Sequence, residues 1–196
     1  MSEDRLSQQL RFILEMDELK HVLRQTLLPG DQRRENDAEH SWHFALMAVV
    51  LAEHAEGDVD PLRVVKMALI HDLVEIDAGD TFAYDEAAHA DKEERERAAA
   101  DRIFALLPAQ QSGEMRELWE EFEARESADS CFAAALDRLQ PLLLNYASGG
   151  DTWRRHGVRR DQVVARNKHI REGAPALWEF AADLIERAVA EGKLEA

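Results

Sequence analysis

Hardly any stretch of this chain alternates apolar and polar residues with the period of two that a half-buried strand requires, whereas helix starts and stops recur along its length. That rhythm predicts an all-α fold. A first helix is expected over about 3–27, with Leu6, Leu10, Ile13, Leu14, Leu19 and Val22 at near-helical spacing, until Pro29 and Gly30 break it. Asn36 followed by Glu39 resembles a capping box and opens a second helix to about residue 56. Asp60 and Pro61 supply an N-cap and a first-turn proline for a third. Further helices are expected near 87–107, 114–124, 128–146, 161–171 and 175–191, bounded by Pro108, Gly149 with Gly150, and Gly173 with Pro175. Neither an internal repeat nor a low-complexity linker divides the 196 residues, so one domain of about seven or eight helices is expected over 1–196.

The third helix carries an oddity. In LIHDLVEIDAGD, His71 and Asp72 stand side by side in an apolar run, with Glu75 and Asp80 following. Residues 71 and 75 are four apart and 72 and 75 three apart, so all three point to neighbouring parts of one helical face. An ionised carboxylate among leucines is costly unless a cation compensates it, and imidazole with carboxylate is a good donor pair for a first-row metal. Two ligands leave the sphere incomplete. His40, one turn into the second helix, and Asp137, in the apolar FAAALDRLQPLL, are the other candidates. A capped structural histidine and a surface ion pair are their plain alternatives. Pro141 cannot donate to the carbonyl of residue 137 and is expected to kink its helix there.

EH at 39–40, HD at 71–72 and the late Asp137 together resemble the H…HD…D pattern of the HD-domain superfamily. RRENDAEHS, HDLVEIDAGD and ALDRLQPLL resemble its 5′-deoxynucleotidase-like branch, and the likeness runs over about 15–150. The resemblance implies an all-α HD fold in which His40, His71, Asp72 and Asp137 hold one divalent ion, with Mn, Co, Ni, Fe and Zn all compatible. It also implies a phosphohydrolase that cleaves a phosphate monoester of a small nucleotide, such as a deoxynucleoside 5′-monophosphate, by attack of an ion-activated water. Glu75 and Asp80 match the acids that would orient or deprotonate the water and protonate the leaving oxygen. Their plain alternatives are a hydrogen bond to His71 and a cap after Gly79.

Arg24, in LKHVLRQT, matches a phosphate-contacting arginine, and Arg34, with Arg33, is a further candidate for that contact or a solvated loop charge. The aromatic residue that follows the arginine in those enzymes is replaced by Gln25 and Thr26, so base and sugar recognition does not carry over. Between HD and Asp137 stands only His89, against the two extra histidines of binuclear relatives, which favours a single ion.

Forty acids against 24 bases give a net charge of -16, which repels an extended nucleic acid but leaves room for a small phosphorylated partner in a locally cationic cleft. Without a run of about 18 apolar residues or a basic start leading into an apolar stretch, no membrane partner is expected and the cytoplasm is. The lone Cys131 is expected to be a small helix-core residue and Trp42 to pack. The late helices, with Trp153, Trp178 and Phe180, are expected either to cover the core or to form a homodimer face. A rival reading keeps the fold and drops the turnover: a non-catalytic HD module binding a nucleotide or protein partner around a structural metal. Glu75 and Asp80 count against it, because a structural site has no need of spare acids.

Overall fold

A computed structural model describes residues 4–30, 33–85 and 90–196. Among them are eleven α-helical segments: α1 (Arg5–Glu15), α2 (Asp37–Leu51), α3 (Pro61–Ile70), α4 (Glu75–Ala78), α5 (Lys92–Phe104), α6 (Ala109–Ala124), α7 (Ala128–Ala147), α8 (Asp151–His156), α9 (Arg160–Asn167), α10 (Ile170–Gly173) and α11 (Pro175–Ala190). The expected helical architecture is therefore present. Eight of the segments run eight residues or longer. The expected start near residue 87 and His89 lie outside the described residues.

The expected first helix does not continue to residue 27. It ends at Glu15, passes through a 3₁₀ stretch (Met16–His21), and gives way to strand β1 (Leu23–Leu27), which pairs antiparallel with β2 (Arg34–Asn36). Helical spacing of Leu19 and Val22 is a weak local preference, and burial of Thr26 and Leu27 in the paired hairpin overrides it. α6 begins five residues earlier than expected, directly after Pro108, which stands at its N-cap, whereas α5 has already ended at Phe104. α8 was not foreseen, and the expected helix over 161–171 is split between α9 and α10.

Two caps fix the ends of the helices that matter most. The Asn36 side chain accepts from the Glu39 N–H while Glu39 accepts from the Asn36 N–H, so the expected capping box opens α2. Ser127 and Ser130 make the same reciprocal pair at the start of α7. α7 then forms the central rod, with Phe132, Ala133, Ala135, Leu136 and Leu139 almost wholly buried. α2, α3, α6, α10 and α11 pack around it. Trp153 is 1% exposed and belongs to this core, whereas Phe180 is 49% exposed. Trp42, expected to pack, is 65% exposed and stacks on His43. Cys131 is half-buried rather than a core residue, its thiol lying 3.2 Å from the Arg125 carbonyl.

α10 lies so close to α7 that a Cβ on Gly173 would stand 2.2 Å from the Cys131 carbonyl oxygen. Only glycine permits that approach. Gly173→Ala is expected to destabilise the fold by about 3 kcal/mol through overpacking, which lowers the melting temperature by roughly 6–12 °C in a chain of this size. Differential scanning calorimetry measures it.

Candidate metal centre

The apolar helix α3 does not run unbroken through the HD pair. At His71 it tightens into a 3₁₀ turn (His71–Val74) before α4 resumes at Glu75. In a 3₁₀ turn residues three apart eclipse one another, so Asp72 and Glu75 are brought onto one edge more directly than α-helical spacing would bring them. Gly79 then ends α4 at φ 76°, a left-handed conformation that turns the chain so that Asp80 lines the same cavity.

His40 projects from α2 and Asp137 from α7 toward this turn. His40 Nε2 stands 3.1 Å from Asp137 Oδ1 and 3.8 Å from Asp72 Oδ2. His71 Nε2 stands 3.1 Å from Asp72 Oδ1 and 3.7 Å from Asp137 Oδ1. All four side chains are buried. Donor atoms of His40, His71 and Asp72 lie within 4.8 Å of one another. α7 continues through Pro141, which has no N–H for the Asp137 carbonyl.

The hydrogen bonds behind the two rings decide what their inner nitrogens can do. His71 Nδ1 donates to the Ala68 carbonyl at 3.0 Å, which a carbonyl can only accept. In the neutral ring Nε2 is then a bare lone pair, and among the described residues it has no hydrogen-bond partner although two carboxylates are close by. His40 Nδ1 faces Gln140 Oε1 at 3.0 Å, and Gln140 Nε2 donates to Glu35 Oε1 at 2.5 Å. A carboxylate next to the amide nitrogen fixes the orientation of Gln140, so His40 donates from Nδ1 and also turns a lone pair inward. Two imidazole lone pairs and two carboxylates facing one another repel unless a cation lies between them.

The protonation tendencies carry the same requirement. Burial, reinforced by the Arg24 charge, holds His40 below its ordinary range, in the neutral form that a metal ligand needs. Burial also works against charging His71, but Asp72 and Asp137 outweigh it and raise the ring to about 10. Burial disfavours the charge on Asp72, yet His71 and Arg24 hold it below the usual carboxylate range. Asp137 is held well below that range, against its burial, by Arg138, His40 and His71. The donor set fits a divalent ion: two neutral-capable imidazoles and two ionised carboxylates, each imidazole oriented by a partner behind it.

A second group of acids adjoins the first. Asp37, Glu75 and Asp80 converge on one point, with Asp37 fully buried and Glu75 6% exposed. Burial followed by the Asp72 charge raises Asp37 to about 7, and burial raises Glu75 and Asp80 as well. Glu75 therefore does not serve as the partner of His71, a role taken by the Ala68 carbonyl. Arg24, placed by β1, donates to Asp72 Oδ2 at 2.8 Å and Asp37 Oδ1 at 3.1 Å, so its guanidinium lies between the two groups of acids. Arg34 reaches back to the Arg24 and Leu23 carbonyls and braces the hairpin. Arg33 pairs with Glu39 on the surface at 2.6 and 2.8 Å.

Sequence reasoning missed Asp37, Glu35 and Gln140. Asp37 precedes His40 by three residues and so shares its helical face, which was a usable signal. Gln140, one turn after Asp137 in an otherwise apolar helix, was another.

The HD domain family matches residues 16–178, most of the chain. This chain belongs to the HD-domain family. Among curated relatives, the 5′-deoxynucleotidase HDDC2 of Bos taurus is 34% identical over 136 residues, 68% of this chain and 64% of that protein. The Homo sapiens counterpart is 33% identical over 135 residues, 68% of this chain and 65% of the relative. The matches thus span just under two thirds of the length of those relatives. A predicted metal-dependent phosphohydrolase from Magnetospirillum magnetotacticum MS-1, known from its crystal structure, is 55% identical with a TM-score of 0.94, covering 98% of this chain and 96% of that one. A conserved hypothetical protein from Pyrococcus furiosus shares the fold alone, at 22% identity and a TM-score of 0.57 over 94% and 98% of the two chains. Among the described residues, no helix is long and apolar enough to cross a membrane.

Two measurements bear on the centre. A divalent ion present at a hundred times its dissociation constant adds about 2.7 kcal/mol to the folded state, so melting after chelation and after re-addition should differ by roughly 5–10 °C. His40→Ala or Asp137→Ala is expected to erase the difference. In the chelated protein His71, raised to about 10 from an ordinary value near 6.5, gives stability that is complete below pH ~6.5 and lost as pH rises through about 10. Urea titrations at stepped pH should show that loss, and His71→Gln should flatten it.

Proposed function

We propose that this chain is a metal-dependent phosphohydrolase that cleaves a phosphate monoester of a small nucleotide, with deoxynucleoside 5′-monophosphates as the first substrates to test. The observation that carries the reading is the meeting of His40, His71, Asp72 and Asp137, from α2, the 3₁₀ turn and α7, with each imidazole Nε2 3.1–3.8 Å from an oxygen of both carboxylates. The names of the relatives agree with it.

A divalent ion held by those four residues would supply Lewis acidity toward a phosphoryl oxygen and make a water acidic enough to attack at neutral pH. The chain supplies the rest. Gln140 and the Ala68 carbonyl hold the two imidazoles in one tautomer. Glu75 and Asp80, beside the ligands, divide the proton traffic: one orients or deprotonates the attacking water and the other protonates the leaving 5′ oxygen. Arg24 presents a guanidinium fixed by Asp72 and Asp37 at the edge of the cavity, where it orients a phosphate. Arg34 acts through the hairpin, by keeping the Arg24 backbone in place.

In the same reading the whole chain is one folding unit, because buried residues from Phe12 to Leu194 form one cluster. Its location is the cytoplasm and its assembly a homodimer. Leu10 and Ile13 of α1 and Leu46, Val49 and Val50 of α2 are exposed apolar side chains that a second copy would cover. The non-catalytic alternative keeps the ion and loses the chemistry. Glu75 and Asp80, buried and half-buried beside the ligand set, favour turnover over it.

Purified protein supplied with Mn, Co, Ni, Fe or Zn is expected to release phosphate from a nucleotide panel. His71→Ala and Asp72→Ala should abolish release while far-UV dichroism keeps its helical signal. Glu75→Gln or Asp80→Asn should lower kcat by about 10²–10⁴ with the bound ion retained. An inactive wild type that still binds nucleotide would instead favour the non-catalytic module.

A further inference from the structure

The cavity beside the metal centre is lined by both acids and cations, and of its arginines only Arg24 has a role so far. It opens to solvent and reaches from the HD turn to α6, α7 and α9. Asp72, Glu75 and Asp80 line it on the side of the ion ligands, but so do Arg125, Arg138 and Arg166. In a chain of net charge -16, three guanidiniums on one cavity besides that of Arg24 call for a cause.

They come from three elements. Arg138 follows Asp137 in α7, Arg166 lies in the last turn of α9, and Arg125 caps the carboxyl end of α6. Arg125 holds φ 53°, the one left-handed non-glycine residue among those described. Glycine or asparagine would cap α6 at lower conformational cost.

Within the cavity these cations are only partly matched, by Asp137 beside Arg138 and by Glu123 toward Arg125. Among the described residues, Arg138 Nε and Arg166 Nε are buried without a hydrogen-bond acceptor. Arg138 Nη1 stands 3.6 Å from Asp137 Oδ2, beyond hydrogen-bond length. His169 Nε2 is also buried without a partner, and burial together with Arg138, Arg125 and Arg166 lowers that ring to about 4. Burial and repulsion from Arg138 lower Arg166 itself to about 10. Partly buried cations that repel one another, as Arg138 and Arg166 do, are costly unless an anion neutralises them, and planar guanidinium forks match the oxygens of a phosphoryl group.

We propose that Arg125, Arg138 and Arg166 form an anion subsite that takes a second phosphoryl group of the ligand, separate from the phosphate presented to the ion held by His40, His71, Asp72 and Asp137. The ligand class is then a nucleoside bisphosphate rather than a simple monophosphate. The word substrate for that ligand rests on the proposed hydrolase activity; the subsite itself does not.

The test separates the two. Inorganic phosphate is titrated into the chelated protein, followed by calorimetry and by phosphorus NMR line width, with no ion present to bind it. The wild type is expected to bind one phosphate, Arg166→Gln and the rim variant Arg125→Gln to weaken it tenfold or more, and the surface variant Arg97→Gln to leave it unchanged. The exposed position of Arg125 keeps the comparison readable if the Arg166 variant does not fold. Failure of the wild type to bind without an ion, or equal binding in the arginine variants, overturns the subsite. With the ion restored, the arginine variants should lose tenfold or more in kcat/KM on a nucleoside 3′,5′-bisphosphate and less than threefold on the 5′-monophosphate. Equal losses on both would mean that the trio grips the attacked phosphate, and would overturn the second-group assignment. Absence of turnover on both substrates would count against the hydrolase reading alone, with the phosphate titration still deciding the subsite.

Discussion

Two imidazole lone pairs and two carboxylates meet at one buried point, and that arrangement holds together only around positive charge. Each outer hydrogen bond intensifies the demand. The Ala68 carbonyl and the Gln140 amide remove the option of turning a ring N–H inward while the ring stays neutral. A proton on His71 is one solution and a divalent ion is the other, which makes this centre a place where protons and metal compete.

The rest of the fold is organised to keep that meeting in register. α2 and α7 are each started by a reciprocal cap, so the position of His40 and Asp137 along their helices is fixed from the amino end. The 3₁₀ turn between α3 and α4 sets Asp72 against Glu75. The short hairpin then inserts Arg24 between Asp72 and Asp37, so like charges that would repel across the cavity share one counter-ion.

Much of this was legible in the sequence, where the signal was local. The capping box at Asn36, the proline start at Pro61 and the boundaries of α7 follow from residue chemistry within one turn, and the structure places them where expected. His40 and Asp137 were singled out as polar residues in apolar helices, and they do converge with His71 and Asp72. What the sequence did not disclose depends on long-range pairing. β1 exists because β2 is beside it, and no periodicity within 3–27 announces that partner. Asp37, Glu35 and Gln140 looked like ordinary helix-end and helix-face polars until the hairpin and α7 brought them to the histidines. The arginine cluster draws on residues 125, 138 and 166, whose common cavity no spacing rule reveals.

Gln140 joins two parts of the molecule that otherwise have separate duties. Its oxygen sets the tautomer of His40, and its nitrogen is anchored to Glu35 in β2, with His43 3.2 Å away. The orientation of the amide, and with it the tautomer of His40, therefore depends on where the hairpin holds Glu35. The amino-terminal hairpin thus reaches the centre by two routes, through Gln140 to His40 and through Arg24 to Asp72.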